Sequence, residues 1–290
     1  MNSQTYHLIK QGIRMSRTLF FIALLISLPH TGLTQTKTLT FAIVPQQSAE
    51  RLATLWTPIL QYVSQHSELN IVFSTAKDIP TFELRLANGE YDIAYMNPYH
   101  YVVFSKSVGY KAIAKQQDKT IRGVIVAKAN GSIKSINDLE GARLAFPAPA
   151  AFAASILPRA ELKKNGISFT PVYVSSHDSV YLNVSKGFFP AGGGIQRTLN
   201  NIHEDVKIQL TTIWQTNEYT PHAFATHPQV DQTTRQKLLA ALMSLNTNEQ
   251  GQALLKAINF KGIEAAVHDD WDDVRALELE TLLGASEQNQ

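Results

Sequence analysis

Three short stretches carry the groups that could hold a small ligand. In the first, Arg143-Leu-Ala-Phe-Pro-Ala-Pro-Ala-Ala-Phe-Ala-Ala-Ser155, a strand over 143–146 stops at Pro147 and an alanine-rich helix is expected from Ala150 to Asn165-Gly166. The first N–H groups of a helix have no intrahelical partner and carry partial positive charge. Pro147, Ala148, Ala150, Ala151 and Phe152 therefore stand where backbone can cradle an anion. An ordinary proline-stiffened strand–helix junction is the alternative reading. In the second stretch, Tyr95-Met-Asn97-Pro-Tyr99, Asn97 caps a helix that Pro98 opens, and the two tyrosines face a ligand or pack in the core. In the third, Ser176-His177-Asp178, Asp178 reads as a helix cap with His177 beside it. Gln46 and Gln47 add amide groups after the first strand. Arg159 reads as a surface charge and His222, next to Pro221, as structural.

Catalysis finds little support. The chain has no G-x-S-x-G, H-E-x-x-H or phosphate-binding glycine loop, and no paired-carboxylate motif. The histidines beyond residue 35 are scattered. His222 and His227 straddle a short extended segment, and Asp269–Asp273 is best read as a negative start to the last helix. No enzyme activity, cofactor or metal is expected. The absence of cysteine excludes thiol catalysis, cysteine-based metal sites and a lipid-modified N-terminal cysteine.

The elements that must position these residues alternate. Strand Thr38–Val44 is followed by an amphipathic helix that Ser48 caps and that carries Leu52, Leu55, Trp56, Ile59, Leu60 and Val63. Strand 70–74, helix 80–87 and strand 91–96 come next, then the helix at Pro98. Strands are expected at 110–115, 122–128, 143–146, 168–174 and 207–214. A helix runs from about 177 to Gly187, and Gly192-Gly193-Gly194 lets backbone approach something closely. A short extended segment at 220–226 precedes helices at 231–245, 248–258 and 271–283. Strand–helix alternation predicts mainly parallel sheets with covered faces, and ligands in such folds bind at the carboxyl ends of the strands.

Before all this, Lys10, Arg14 and Arg17 precede the apolar run Leu19–Leu28, which is short for a bilayer span and reads as a secretory signal peptide over residues 1–35. Cleavage is expected near Thr34–Thr36, and Met15 could equally be the start. The formal charge of +2 then misleads. Removing residues 1–35 takes three basic residues from 26 and no acid from 24, leaving the mature chain near −1. That balance, with no basic run, argues against a nucleic acid or an anionic membrane as partner.

The ordered pattern resembles the phosphonate- and phosphate-binding proteins that serve ABC importers, a branch of the type II periplasmic binding proteins. The resemblance rests on Pro45–Ala49 after the first strand, on Gly89-Glu-Tyr-Asp-Ile-Ala-Tyr-Met-Asn-Pro-Tyr-His-Tyr101 and on Ser135-Ile-Asn-Asp-Leu-Glu-Gly-Ala-Arg-Leu-Ala-Phe146. Ser176-His177-Asp178 and the segment around Pro221 complete it. It implies an α/β, two-lobed fold with two mainly parallel or mixed sheets, flanking helices and a hinged cleft. Lobe I would take residues 36–120 and 222–290, and lobe II residues 121–221. It also implies a soluble periplasmic monomer that closes on a small oxyanion and docks on an ABC permease, with His177 at the family's ligand-contacting histidine. Two departures stand out. The family's Ser/Thr-rich anion loop is replaced by Pro147–Ala154, with Ser155 its first hydroxyl, and Phe189-Pro190-Ala191-Gly192 lacks the family's carboxylate. These keep open a neutral or apolar ligand, with Phe146, Pro147, Pro149, Phe152 and Phe188 as its wall. A sensory protein that addresses a membrane kinase or cyclase is the third reading.

Overall fold

The computed structural model describes residues 38–278. The expected leader with its cleavage site, the choice between Met1 and Met15, and the end of the last helix beyond 278 lie outside the described residues.

The first sheet is built around β1 (Thr38–Ile43), flanked in parallel by β2 (Asn70–Ser74) and β3 (Ile93–Met96). Its inner residues Phe41, Ala42 and Ile43 are all buried, as a strand covered on both faces requires. β4 (Lys111–Gln116), β10 (Ala223–Thr226) and β11 (Ile263–Ala265) extend it antiparallel, in the order β11-β4-β10-β3-β1-β2. The second sheet runs β7-β6-β8-β5-β9, from β5 (Gly123–Lys128), β6 (Ala142–Phe146), β7 (Phe169–Tyr173), β8 (Ala191–Ile195) and β9 (Leu210–Gln215). Both sheets are thus mixed. The chain crosses between them twice, and the two crossings pair as an antiparallel bridge, Ile121 N–H to Tyr219 O at 2.8 Å and Tyr219 N–H to Ile121 O at 3.1 Å.

Helix α1 (Ala49–Ser67) follows β1, and the Ser48 hydroxyl accepts from Arg51 N as its cap. Leu52, Trp56, Ile59, Leu60 and Val63 form its buried stripe against the first sheet. α2 (Ile79–Ala87) and α3 (Pro98–Ser107) cover the same half, capped by Asp78 and Asn97. α4 (Leu157–Lys164), α5 (His177–Ser185), α6 (Gln196–Asn201) and α7 (Glu204–Lys207) serve the second sheet. α8 (Gln232–Ser244), α9 (Glu249–Ala257) and α10 (Asp272–Arg275) return to the first. Lys207 ends α7, so β9 begins three residues later than expected. Trp271 sits in a 3-10 turn over His268–Trp271 rather than in the final helix.

Two differences from the sequence expectation bear on the ligand site. The helix expected from Ala150 opens as a π-turn over Phe152–Ile156, with Ile156 N–H reaching Ala151 O at 3.2 Å. Pro158 is the cause: it has no N–H for Ala154 O, four residues earlier, and its ring crowds that carbonyl, so the turn widens. The glycine run is a buried central strand, β8. What approaches it is the π-turn itself, because a Cβ on Gly193 would overlap the Ala154 carbonyl oxygen and one on Gly123 the Ala153 oxygen. One apolar core therefore joins the first sheet to Ala148, Ala151–Ala154, Ile156 and Ile195 of the second half.

Candidate functional site

The carboxyl ends of β1 and β3, where the strand order turns, face those of β6 and β8. Such a switch point is where α/β sheets bind ligands. Loop 44–47 after β1 supplies Gln46, and Asn97 follows β3. Asn97 Oδ1 accepts from His100 N at 2.8 Å, capping α3, while its Nδ2 donates to Ala150 O at 3.3 Å across to the other half. Opposite, the first N–H of α5, on His177, donates to Gln46 O at 3.2 Å. Gln46, Asn97, Ala150, Ala151, Phe152 and His177 are thus brought together.

The space between them is nearly full. Ala151, Phe152, Ala153 and Ala154 are each at most 3% exposed, and the void they line with Asn97 and His177 measures about 10 Å³. One water needs ~10–15 Å³, and small-molecule sites usually offer about 300–1,000 Å³. Phe152 lies edge-on to Tyr219 at the crossing, ring centres 5.6 Å apart. Ser155 is buried too, and its hydroxyl has no partner among the described residues. Pro147 and Ala148 are buried at the foot of the same loop.

Arg159 holds this arrangement in place. Expected at the surface, it is 2% exposed, and its guanidinium donates to Pro149 O at 3.0 Å, Ser155 O at 3.3 Å and Tyr173 Oη at 3.0 Å. The wide turn presents carbonyls that only a buried multiple donor can satisfy, and arginine brings five N–H groups. Asp178 is corrected as well. The cap of α5 is Ser176, whose hydroxyl accepts from Ser179 N at 3.1 Å. Asp178 lies in a separate crevice with Arg51 and His203, where burial raises its pKa and those two neighbours, Arg51 first, act to lower it. Tyr99 lines another groove, with Val102, Val103 and His268.

Tyr95 is buried and stacks on His222, ring centres 5.1 Å apart and 21° from parallel. Both line a pocket beside the filled cleft, together with Arg122 and Arg197. His177 is pushed down to about 3, first by burial and then by the charge of Arg197. Burial, with Arg197 second, also holds His222 well below the ordinary histidine value. Neutral His222 can accept, and Gln46 Nε2 lies 2.7 Å from its Nε2. That turns Gln46 Oε1 toward Arg197 Nη2, which donates to it. The two arginines escaped sequence reasoning. The signal for Arg197 is its place two residues after a strand end, and for Arg122 its place just before one.

Among the described residues no group of three or more His, Asp or Glu side chains could hold a metal ion. The aspartates at 269–273 serve tethering instead: Asp270 pairs with Lys115 at 3.0 Å and Asp273 accepts from Thr220 N at 2.6 Å.

Comparison with known proteins places this architecture. The profile of a family described as ABC transporter, phosphonate, periplasmic substrate-binding protein matches residues 41–271. The phosphate-import protein PhnD of Mycolicibacterium smegmatis is 21% identical over 211 residues, which is 65% of this chain and 66% of that protein, just under two thirds of its length. Among solved structures, a binding-protein component of an ABC phosphonate transporter from Pseudomonas aeruginosa superposes with a TM-score of 0.79 at 16% identity, covering 87% of this chain and 92% of the other. PhnD1 of Prochlorococcus marinus, solved with methylphosphonate, gives 0.78 at 17% identity, covering 86% and 98%. Both share the two-lobed fold.

Proposed function

The chain belongs to the family of periplasmic substrate-binding proteins of phosphonate ABC transporters, and from that premise we propose that it captures a small phosphorus oxyanion for an ABC-type importer. Phosphate, phosphite and phosphonates are the candidates. Proteins of this family bind a solute rather than transform it. The observation that carries the reading is the meeting of the two halves through ligand-type groups: Asn97 Nδ2 on Ala150 O and the first α5 N–H on Gln46 O. An N–H at a helix start is what an oxyanion would take over from Gln46.

Of the described residues, 38–120 and 222–278 form lobe I in this reading, and 121–221 form lobe II. The paired crossings at Ile121 and Tyr219 are the hinge. A ligand that touches both lobes selects the closed state, and that state docks on a membrane permease. Among the described residues no helix is long and apolar enough to cross a membrane, which fits a diffusible periplasmic carrier. A neutral or apolar ligand is the second reading, and one observation favours it: residues 151–154 bring no hydroxyl to the cleft. The filled cleft weighs against it, since Phe152 must leave before such a guest can enter.

Calorimetric titration of inorganic phosphate, phosphite and methylphosphonate tests the proposal. Saturable heat with at least one of the three is expected. A neutral molecule carried by protein drawn from its own periplasm, with no heat from any of the three, would overturn it.

A further inference from the structure

We propose that Arg197 anchors a cationic pocket beside the filled cleft, and that this pocket takes a small tetrahedral dianion of the phosphate, phosphonate or sulfate type. The proposal rests on the oxyanion reading above and locates the contact that neutralises the ligand's charge.

The pocket measures about 130 Å³ and lies at the hinge. That is roughly ten times the space one water demands, and more than ten times the void at residues 151–154. Tyr95 of β3 and His222, just before β10, line it from the first half, and Arg122, just before β5, and Arg197 of α6 from the second, so an occupant touches both halves. Lys119 stands with the arginines, and Glu218 is the one carboxylate among the lining residues. Three cations against one acid leave an excess of two positive charges, since burial keeps His222 neutral.

Glu218 is already committed to Arg122, with which it forms an exposed ion pair. Arg197 has no carboxylate partner among the described residues. Its one side-chain hydrogen bond goes to Gln46 Oε1, which leaves most of its five N–H groups without a protein acceptor. The half-buried guanidinium is a charged multiple donor. Its planar fork suits two oxygens of one tetrahedral anion. Gln46 fixes the direction of that fork, because its amide nitrogen is held toward His222 and its oxygen is thereby given to Arg197. Residues 150–154 bring no hydroxyl, and Arg197 nearby keeps donors beyond the one given to Gln46. Arg197 at the hinge then supplies the charge that the loop at 147–154 lacks.

Calorimetric titrations of inorganic phosphate, methylphosphonate and sulfate against wild type and four variants test this. Arg197→Gln should weaken binding at least ~10-fold, as loss of a charge-assisted hydrogen bond does, and Arg197→Lys should recover part of it. Glu218→Gln frees Arg122 at an exposed position and should tighten binding about threefold. Lys237→Gln, a remote surface cation paired with Glu68, should change nothing. Binding by both Arg197→Gln and Glu218→Gln at wild-type strength would overturn the pocket and leave the oxyanion reading standing. Should Arg197→Gln fail to fold, unchanged affinity in Glu218→Gln overturns the pocket alone. Arg197-dependent binding of sulfate only would support the pocket and overturn the phosphorus reading. No heat from any of the three anions in wild type overturns both.

Discussion

Arg197 donates to the side-chain oxygen of Gln46, 151 positions earlier in the chain, and so ties the helix after β8 to the loop after β1. With the bond from Asn97 to Ala150 and that from Arg51 Nη2 to Asn201 O at 2.8 Å, it links the two halves through side chains.

Gln46→Leu keeps the volume and removes the tie to both Arg197 and His222. A hydrogen bond to a charged group contributes about 2 kcal/mol, so the thermal midpoint should fall by ~4–8 °C. Calorimetry reads the midpoint, and X-ray scattering should show a larger radius of gyration as the hinge opens. An unchanged midpoint would mean that the tie contributes nothing to closure.

Gly193 stands under the π-turn, where any Cβ meets the backbone carbonyl of Ala154. No rotamer change relieves a clash with backbone. Gly193→Ala should therefore cost about 3 kcal/mol or more, seen as a lower urea midpoint or as insoluble protein. Gly166→Ala is the contrast, since a Cβ there meets nothing within 4 Å and only the positive φ of 70° opposes it; a cost near 1 kcal/mol is expected there.

Phe152 fills the cleft and leans on Tyr219. Phe152→Ala leaves a cavity and should cost ~3–5 kcal/mol, with the urea m-value unchanged if the fold is kept. The emptied space is lined by alanines, so a small apolar probe such as benzene should stabilise the variant and not the wild type. A loss below about 1 kcal/mol would show that the cleft closes over the missing ring.

His177 is neutral in the fold, with a pKa near 3, and titrates near the ordinary ~6.5 in the unfolded chain. Between those values the unfolded state binds the extra proton, so stability falls as pH drops through 6.5 and keeps falling toward 3. From pH 7 to pH 5 the expected loss from this residue is about 2 kcal/mol. His222 shifts in the same direction and adds to it. Urea midpoints at the two pH values measure the sum, and His177→Asn should flatten the dependence by its share. A wild-type midpoint that does not move between pH 7 and 5 would contradict neutral burial of both rings.

Much of this protein is written in local signals. Ser48, Asp78, Asn97, Asp231 and Asn248 cap the helices that follow them, because a short polar side chain before an apolar repeat has one favoured use. The apolar runs that became β1, β3, β5 and β6 had to be buried strands, and the ordered motifs between Pro45 and Pro221 pointed to the family whose profile matches residues 41–271. Even the departure at 147–155 was plain: no hydroxyl before Ser155 can reach an anion from that helix start.

What only the tertiary structure decided was where charge and space ended up. Whether the alanine-rich segment lines an open cleft or fills it depends on Pro158 widening a turn and on Gly193 and Gly123 letting that turn sink onto the sheet. Those partners lie up to some forty residues apart in sequence. Arg159 looked like any surface arginine, because its acceptors are backbone carbonyls that exist only once the turn is folded. Arg197 and Gln46 had no reason to be read together until two sheets brought β8 to β1. A charge is defined by its neighbours in space, and neighbours in space are what a linear pattern does not record.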